Sequence, residues 1–114
     1  MKNIFKITFA LALILLQLSC KTVDISPKQG TITVPANNEI RAWKNLEHSS
    51  FSLHLENKNA TNSCEAYTIK NNTENWISPS LLANSSIDFI VPRDGEVVLK
   101  NFSNENLIIN YTIN

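Results

Sequence analysis

The chain has 114 residues, with ten Lys plus Arg matched by ten Asp plus Glu, enough for one small domain and too few for two. From Cys20 onward eight basic and ten acidic residues leave a formal charge of −2, with no run of one sign longer than two. That distribution gives no basic face for nucleic acid, and two cysteines with two distant histidines do not make a zinc site.

Lys2 and Lys6 lie at the start of the chain, Ile7 to Leu18 form an apolar run of twelve residues, and the small Ser19 stands just before Cys20. A basic start, a short apolar stretch and a small residue at the cut make an export signal. The run falls short of the ~20 apolar residues that cross a bilayer, and polar sequence follows it. With Cys20 placed directly after Leu18-Ser19, residues 1–21 resemble a bacterial lipoprotein signal peptide. Gln17 stands where an aliphatic residue is usual, between Leu16 and Leu18. The resemblance implies cleavage after residue 19 and lipidation of Cys20, whose acyl chains would anchor the protein; two or three chains hold stably where one binds marginally. Lys21 in place of an aspartate then implies the outer membrane. The alternative is ordinary cleavage and secretion. The domain boundaries expected are 1–19 for the signal, 20–30 for the lipidated N-terminus and a flexible tether containing Pro27 and Gly30, and 31–114 for the folded domain.

From Thr31 onward the apolar spacing is two, the period of strands, and no twelve-residue stretch keeps a helical stripe. Thr31 to Val34 is a first strand ended by Pro35, and Glu39 to Lys44 is a second. Ser50 to Glu56 alternates, with Phe51, Leu53 and Leu55 inward and Ser52, His54 and Glu56 outward. After a polar loop from Asn57 to Ser63, Cys64 to Lys70 is a strand with Tyr67 and Ile69 on one face and Cys64, Ala66 and Thr68 on the other; either face can be the buried one. Trp76 and Ile77 start a short extended piece limited by Pro79. Ile87, Phe89 and Val91 then alternate up to Pro92-Arg93-Asp94-Gly95, a turn in which glycine takes the left-handed position. Val97 and Leu99 return, Phe102 ends that run, and Leu107, Ile109, Tyr111 and Ile113 share a face in the last strand. The pattern predicts a three-stranded meander over 86–113 within an all-β antiparallel sandwich, immunoglobulin-like or jelly-roll, with a small barrel as the alternative.

His48 and His54 read as solvent-facing residues, and Asp88, Glu65 and Glu96 as surface carboxylates. No G-x-S-x-G elbow, cofactor loop or singled-out carboxylate pair marks an enzyme, and no cofactor is expected. Cys64 reads as a small buried hydrophobe, or as a partner for Cys20 if that residue is not lipidated. Sixteen asparagines fit an AT-rich coding sequence as readily as any function. The candidate ligand-binding residues are Trp43 and Trp76, which stand in polar, turn-rich neighbourhoods; exposed aromatics there would stack on a glycan or anchor a protein partner. The function expected is a lipid-anchored envelope protein acting as a non-enzymatic binding module, with a structural, assembly or inhibitor role as the rival.

Overall fold

The computed structural model describes residues 27–114, so the signal segment, Cys20 and the start of the tether lie outside the described residues. Eight strands follow in chain order: β1 (Gln29–Val34), β2 (Asn38–Ala42), β3 (Phe51–Asn57), β4 (Glu65–Lys70), β5 (Thr73–Trp76), β6 (Ser85–Val91), β7 (Glu96–Asn101) and β8 (Leu107–Ile113). They form two four-stranded sheets, a first of order β1-β8-β3-β6 and a second of order β2-β7-β4-β5, with every pairing antiparallel. The expected all-β sandwich is present, and its strand order selects the jelly roll: β1 pairs with β8, β2 with β7, β3 with β6 and β4 with β5, a single long antiparallel hairpin rolled into two layers.

The C-terminal third departs from the expected meander. β6 lies in the first sheet, β7 in the second and β8 in the first again, so consecutive strands face each other across the core instead of pairing. Alternation reports only which side of a strand is apolar, and a hairpin return and a crossover between packed sheets satisfy it equally. The turn between β6 and β7 also differs in detail. Asp94 takes the left-handed backbone at φ 58°, while Gly95 closes the turn with its N–H on Pro92 O at 2.9 Å. Glycine serves there because a Cβ would stand 2.8 Å from Pro92 Cγ. The short extended piece expected to start at Trp76 is displaced: β5 ends at Trp76, and it forms a true hairpin with β4 through a two-residue turn at Asn71-Asn72, with Lys70 opposite Thr73 and Tyr67 opposite Trp76.

The inner faces supply the core. Val34, Leu53, Leu55, Val91, Leu107 and Ile109 of the first sheet and Ala66, Val97 and Leu99 of the second are fully buried, and each large aliphatic among them contributes about 1.5–3 kcal/mol of burial. Cys64 and Leu81 join this cluster through a reciprocal backbone bridge of 2.8 and 2.9 Å. The ambiguous strand β4 is thereby resolved: Cys64, Ala66 and Thr68 face inward, and Tyr67 and Ile69 face outward.

Four described polar side chains are buried: His48, Asn57, Thr68 and Asn101. His48 corrects the expectation of a solvent-facing residue. It lies in the β2–β3 connection, its N–H donates to Asp94 Oδ1 at 2.8 Å, and its ring nitrogens lie 2.8 Å from the carbonyls of Ser49 and Gly95. A carbonyl oxygen only accepts, so the ring nitrogen that carries hydrogen is the donor. One polar residue in a loop carries no periodicity, and nothing in the flanking sequence signals its burial.

Candidate functional site

The two tryptophans have different fates. Trp43 follows β2 with a left-handed backbone, φ 58°, a conformation that costs a bulky residue energy unless packing holds it. The packing is present: its ring meets Phe51 edge-on at 5.3 Å and Tyr111 edge-on at 5.7 Å, and it closes one end of the core. Trp76 instead leaves 55% of its surface in water. It ends the edge strand β5 on the outer face of the second sheet, directly opposite Tyr67. Sequence reasoning paired the two as one surface; the fold places one in the packed end and the other on an open face.

Around Trp76 that outer face has an apolar centre and a charged rim. Val98 stands between Arg41 and Tyr67 and is fully buried, as is nearly all of Ile69. Lys100 Nζ sits 4.4 Å from the Tyr67 ring centroid and 3.0 Å from Glu74 Oε1. The bond to Glu74 is the largest influence holding the lysine above its ordinary pKa. Tyr67 donates its hydroxyl to Glu65 Oε1 at 2.6 Å, and that bond is the main reason its phenol is raised. Lysine, tyrosine and two carboxylates therefore constrain one another, and this part of the face is ordered before anything binds.

The same face continues past the end of β7 to the aromatic residue at which the alternating run ends. Phe102 is 70% exposed and lines an open cleft of about 220 Å³ with Asn37, Asn38, Glu39, Lys100 and Asn101. The signal was available in the spacing: Glu96, Val98, Lys100 and Phe102 share one parity, so an outward Lys100 implied an outward Phe102. The cleft walls are braced from below by Asn101. Its buried amide nitrogen donates to Val34 O at 3.1 Å, Pro35 O at 3.2 Å and Glu105 O at 2.7 Å. Its oxygen accepts from the Ser103 N–H at 2.9 Å and the Ser103 hydroxyl at 2.7 Å.

The remaining histidine and carboxylates have simpler surroundings. His54 and Asp88 oppose each other across β3 and β6 and bond at 2.8 Å. Glu65 and Glu96 are half-buried and belong to the face just described. Exposed Ile90 and Ile108 lie on the first sheet in β6 and β8, which β3 separates, and single apolar residues of that kind are ordinary surface. Among the described residues no three His, Cys, Asp or Glu side chains gather in a metal-binding group.

No protein-family model matches the sequence, and no curated protein matches it either. Solved structures do resemble it in fold. The Drosophila melanogaster CENP-C protein, in a crystal structure bound to CAL1, aligns over 82% of this chain and 69% of its own at 10% identity with a TM-score of 0.53. The Drosophila melanogaster CENP-C cupin domain aligns over 82% of this chain and 65% of its own at 10% identity with a TM-score of 0.52. At that identity the likeness is one of architecture: the chain has the cupin-like jelly-roll fold.

Proposed function

We propose that this is a lipid-anchored envelope protein whose jelly-roll domain is a non-enzymatic binding module, with the outer face of the second sheet as its binding surface. The observation that carries the reading is the exposed indole of Trp76 beside Tyr67 on a sheet face whose lysine and carboxylates are already held in place. Rigid aromatic side chains flanked by ordered polar groups are what recognition surfaces are made of.

The course of the chain adds support. β1 runs from the tether side to the Pro35–Asn37 turn, so the Phe102 cleft lies at the far end of the sandwich from residue 27. Six residues of strand span about 20 Å. A lipid on Cys20 would thus hold the domain with its cleft turned away from the membrane, and anchoring would raise the effective concentration of a weak binder near its ligand.

Two measurements test the reading. Tagged palmitate fed to cells is expected to label the wild type and not Cys20→Ala; a soluble, unlabelled wild type overturns the anchor. Isolated envelopes are expected to bind the protein saturably, with Trp76→Ala lowering affinity about tenfold and Ile108→Ala leaving it unchanged. Equal binding by all three overturns the assigned surface. A second reading, docking of a protein partner in a structural or assembly role, is favoured by one observation: β6 is a seven-residue strand at the open edge of the first sheet, with unpaired backbone groups that accept another strand. In that case Ile90→Lys disrupts association and Trp76→Ala does not.

A further inference from the structure

The cleft at the distal end has a chemistry more specific than an exposed aromatic, and that chemistry defines a ligand. Phe102 offers an apolar ring face with 70% of the residue in water, although nothing in the core requires an aromatic there. Asn38 turns its carboxamide oxygen to the Glu39 N–H at 2.8 Å, which leaves the amide NH2 to donate outward. Glu39 contributes an acceptor whose nearest cation is Arg41 Nε at 3.7 Å, and Lys100 contributes a donor already positioned by Glu74 and Tyr67. One carboxylate and one ammonium make the cleft neutral. A phosphate or sulfate would meet Glu39, and a cationic ligand would meet Lys100. A sugar hydroxyl both donates and accepts, so it can use both groups, and the C–H face of a pyranose ring matches the negative face of an aromatic.

We propose that this cleft binds a neutral saccharide, one pyranose ring stacking on Phe102 while Asn38, Glu39 and Lys100 bond its hydroxyls. The proposal rests on the binding-module reading and narrows it to a ligand class and a position. The cleft is preorganised for the task. Asn101 ties the Pro35 side of the cleft to the Ser103–Glu105 side, and two further bonds do the same: the Asn37 N–H on Ser103 O at 2.9 Å and the Ala36 N–H on Asn106 Oδ1 at 3.0 Å. Little loop ordering remains to oppose binding.

The test is a titration of the ¹⁵N-labelled protein with cellohexaose, mannohexaose, maltohexaose and laminarihexaose, with inorganic phosphate and polygalacturonate as anionic comparisons. At least one neutral oligosaccharide is expected to give saturable shifts at Asn37, Asn38, Glu39 and Phe102. Phe102→Ala, a change to a side chain already in water, is expected to weaken that binding about tenfold or more, and Phe102→Trp to retain it. The proposal is overturned if none of the four oligosaccharides binds, if Phe102→Ala leaves affinity intact, or if phosphate or polygalacturonate occupies the cleft more tightly. Envelope binding that depends on Trp76, with no oligosaccharide bound, overturns this proposal and leaves the binding module standing; loss of both overturns both.

Discussion

Asparagine holds the left-handed backbone positions that glycine holds in many small β proteins. Among the described residues, seven non-glycine positions have positive φ, and five of them are Asn37, Asn45, Asn71, Asn72 and Asn84. Asparagine tolerates that region because its short amide bonds locally, so part of an excess that composition alone would assign to base bias has a structural use. Which asparagines turn was not legible, because the residue serves equally well as a surface polar group. Trp43, also at positive φ, shows the same limit: its identity invited a binding role, and only the fold reveals Phe51 and Tyr111 around it. Trp43→Ala is therefore expected to cost about 2–4 kcal/mol in urea unfolding, while Trp76→Ala stays within about 0.5 kcal/mol; equal costs would undo the separation of their roles. Cys64, 1% exposed, matches its expected place in the core. Burial pushes its thiol up from 9.0 to about 12. Well below pH 9 the thiol is neutral in both states and contributes no pH dependence. Between pH 9 and about 12 the unfolded chain loses a proton that the folded chain keeps, so stability falls by up to about 1.4 kcal/mol per pH unit. Tyr67 and Lys100 are raised too and act in the same direction, so the measurement is the difference between wild type and Cys64→Ala. That difference should be flat well below pH 9 and should narrow above it; a flat difference throughout would mean that the thiol ionises freely in the fold.

At the scale of elements, strand existence was legible and strand partnership was not. Leu53 and Leu55 in β3 and Leu107 and Ile109 in β8 declare their inner faces by period alone, whereas the pairing of β8 with β1 joins Thr33 to Ile108 across the whole domain. Local pattern holds no record of such a contact. The β4–β5 hairpin is the exception that could have been read, because Asn71-Asn72 between Lys70 and Thr73 is a two-residue loop of a residue type suited to the primed turns. Both residues have positive φ, 52° and 61°, as the type I′ turn requires. Replacing the pair by Ala-Ala is expected to destabilise the domain by about 1–3 kcal/mol, since each left-handed alanine costs about 1–2 kcal/mol less whatever the asparagine already bears. Asn72→Gly is expected to be neutral or stabilising. Thermal denaturation of the two variants checks this, and a stabilised Ala-Ala protein would show that the turn is not the primed type.

At the scale of the whole molecule, the rolled hairpin brings together connections that are far apart in sequence, and a buried polar side chain sits at each junction. Asn101 joins the β1–β2 turn to the β7–β8 loop. His48 joins the β2–β3 connection to the β6–β7 turn. Asn57 joins the β3–β4 loop to the segment before β6, donating to Asn62 O at 2.9 Å and Leu81 O at 3.4 Å. These are three of the four buried polar residues among those described. A hairpin rolled in this way buries its apolar faces whichever way the loops lie, and hydrophobic burial has no direction; the buried bonds are what select one arrangement of the ends. The candidate cleft depends on the first of these struts, because Asn101 fixes both of its walls. Asn101→Ala would take this donor from the Val34 and Pro35 carbonyls and the acceptor from the Ser103 N–H, while Glu105 O keeps the Ser103 hydroxyl at 3.0 Å, a loss of about 2–4 kcal/mol for buried groups, against less than about 0.5 kcal/mol for the exposed neighbour Asn104→Ala. Because His48 acts at the opposite end with separate partners, the double variant Asn101→Ala/His48→Ala should lose the sum of the two single costs to within about 0.5 kcal/mol. A double variant much more stable than that sum would mean that the two ends are coupled through the core, and that the struts select one arrangement together instead of each end being fixed by its own buried side chain.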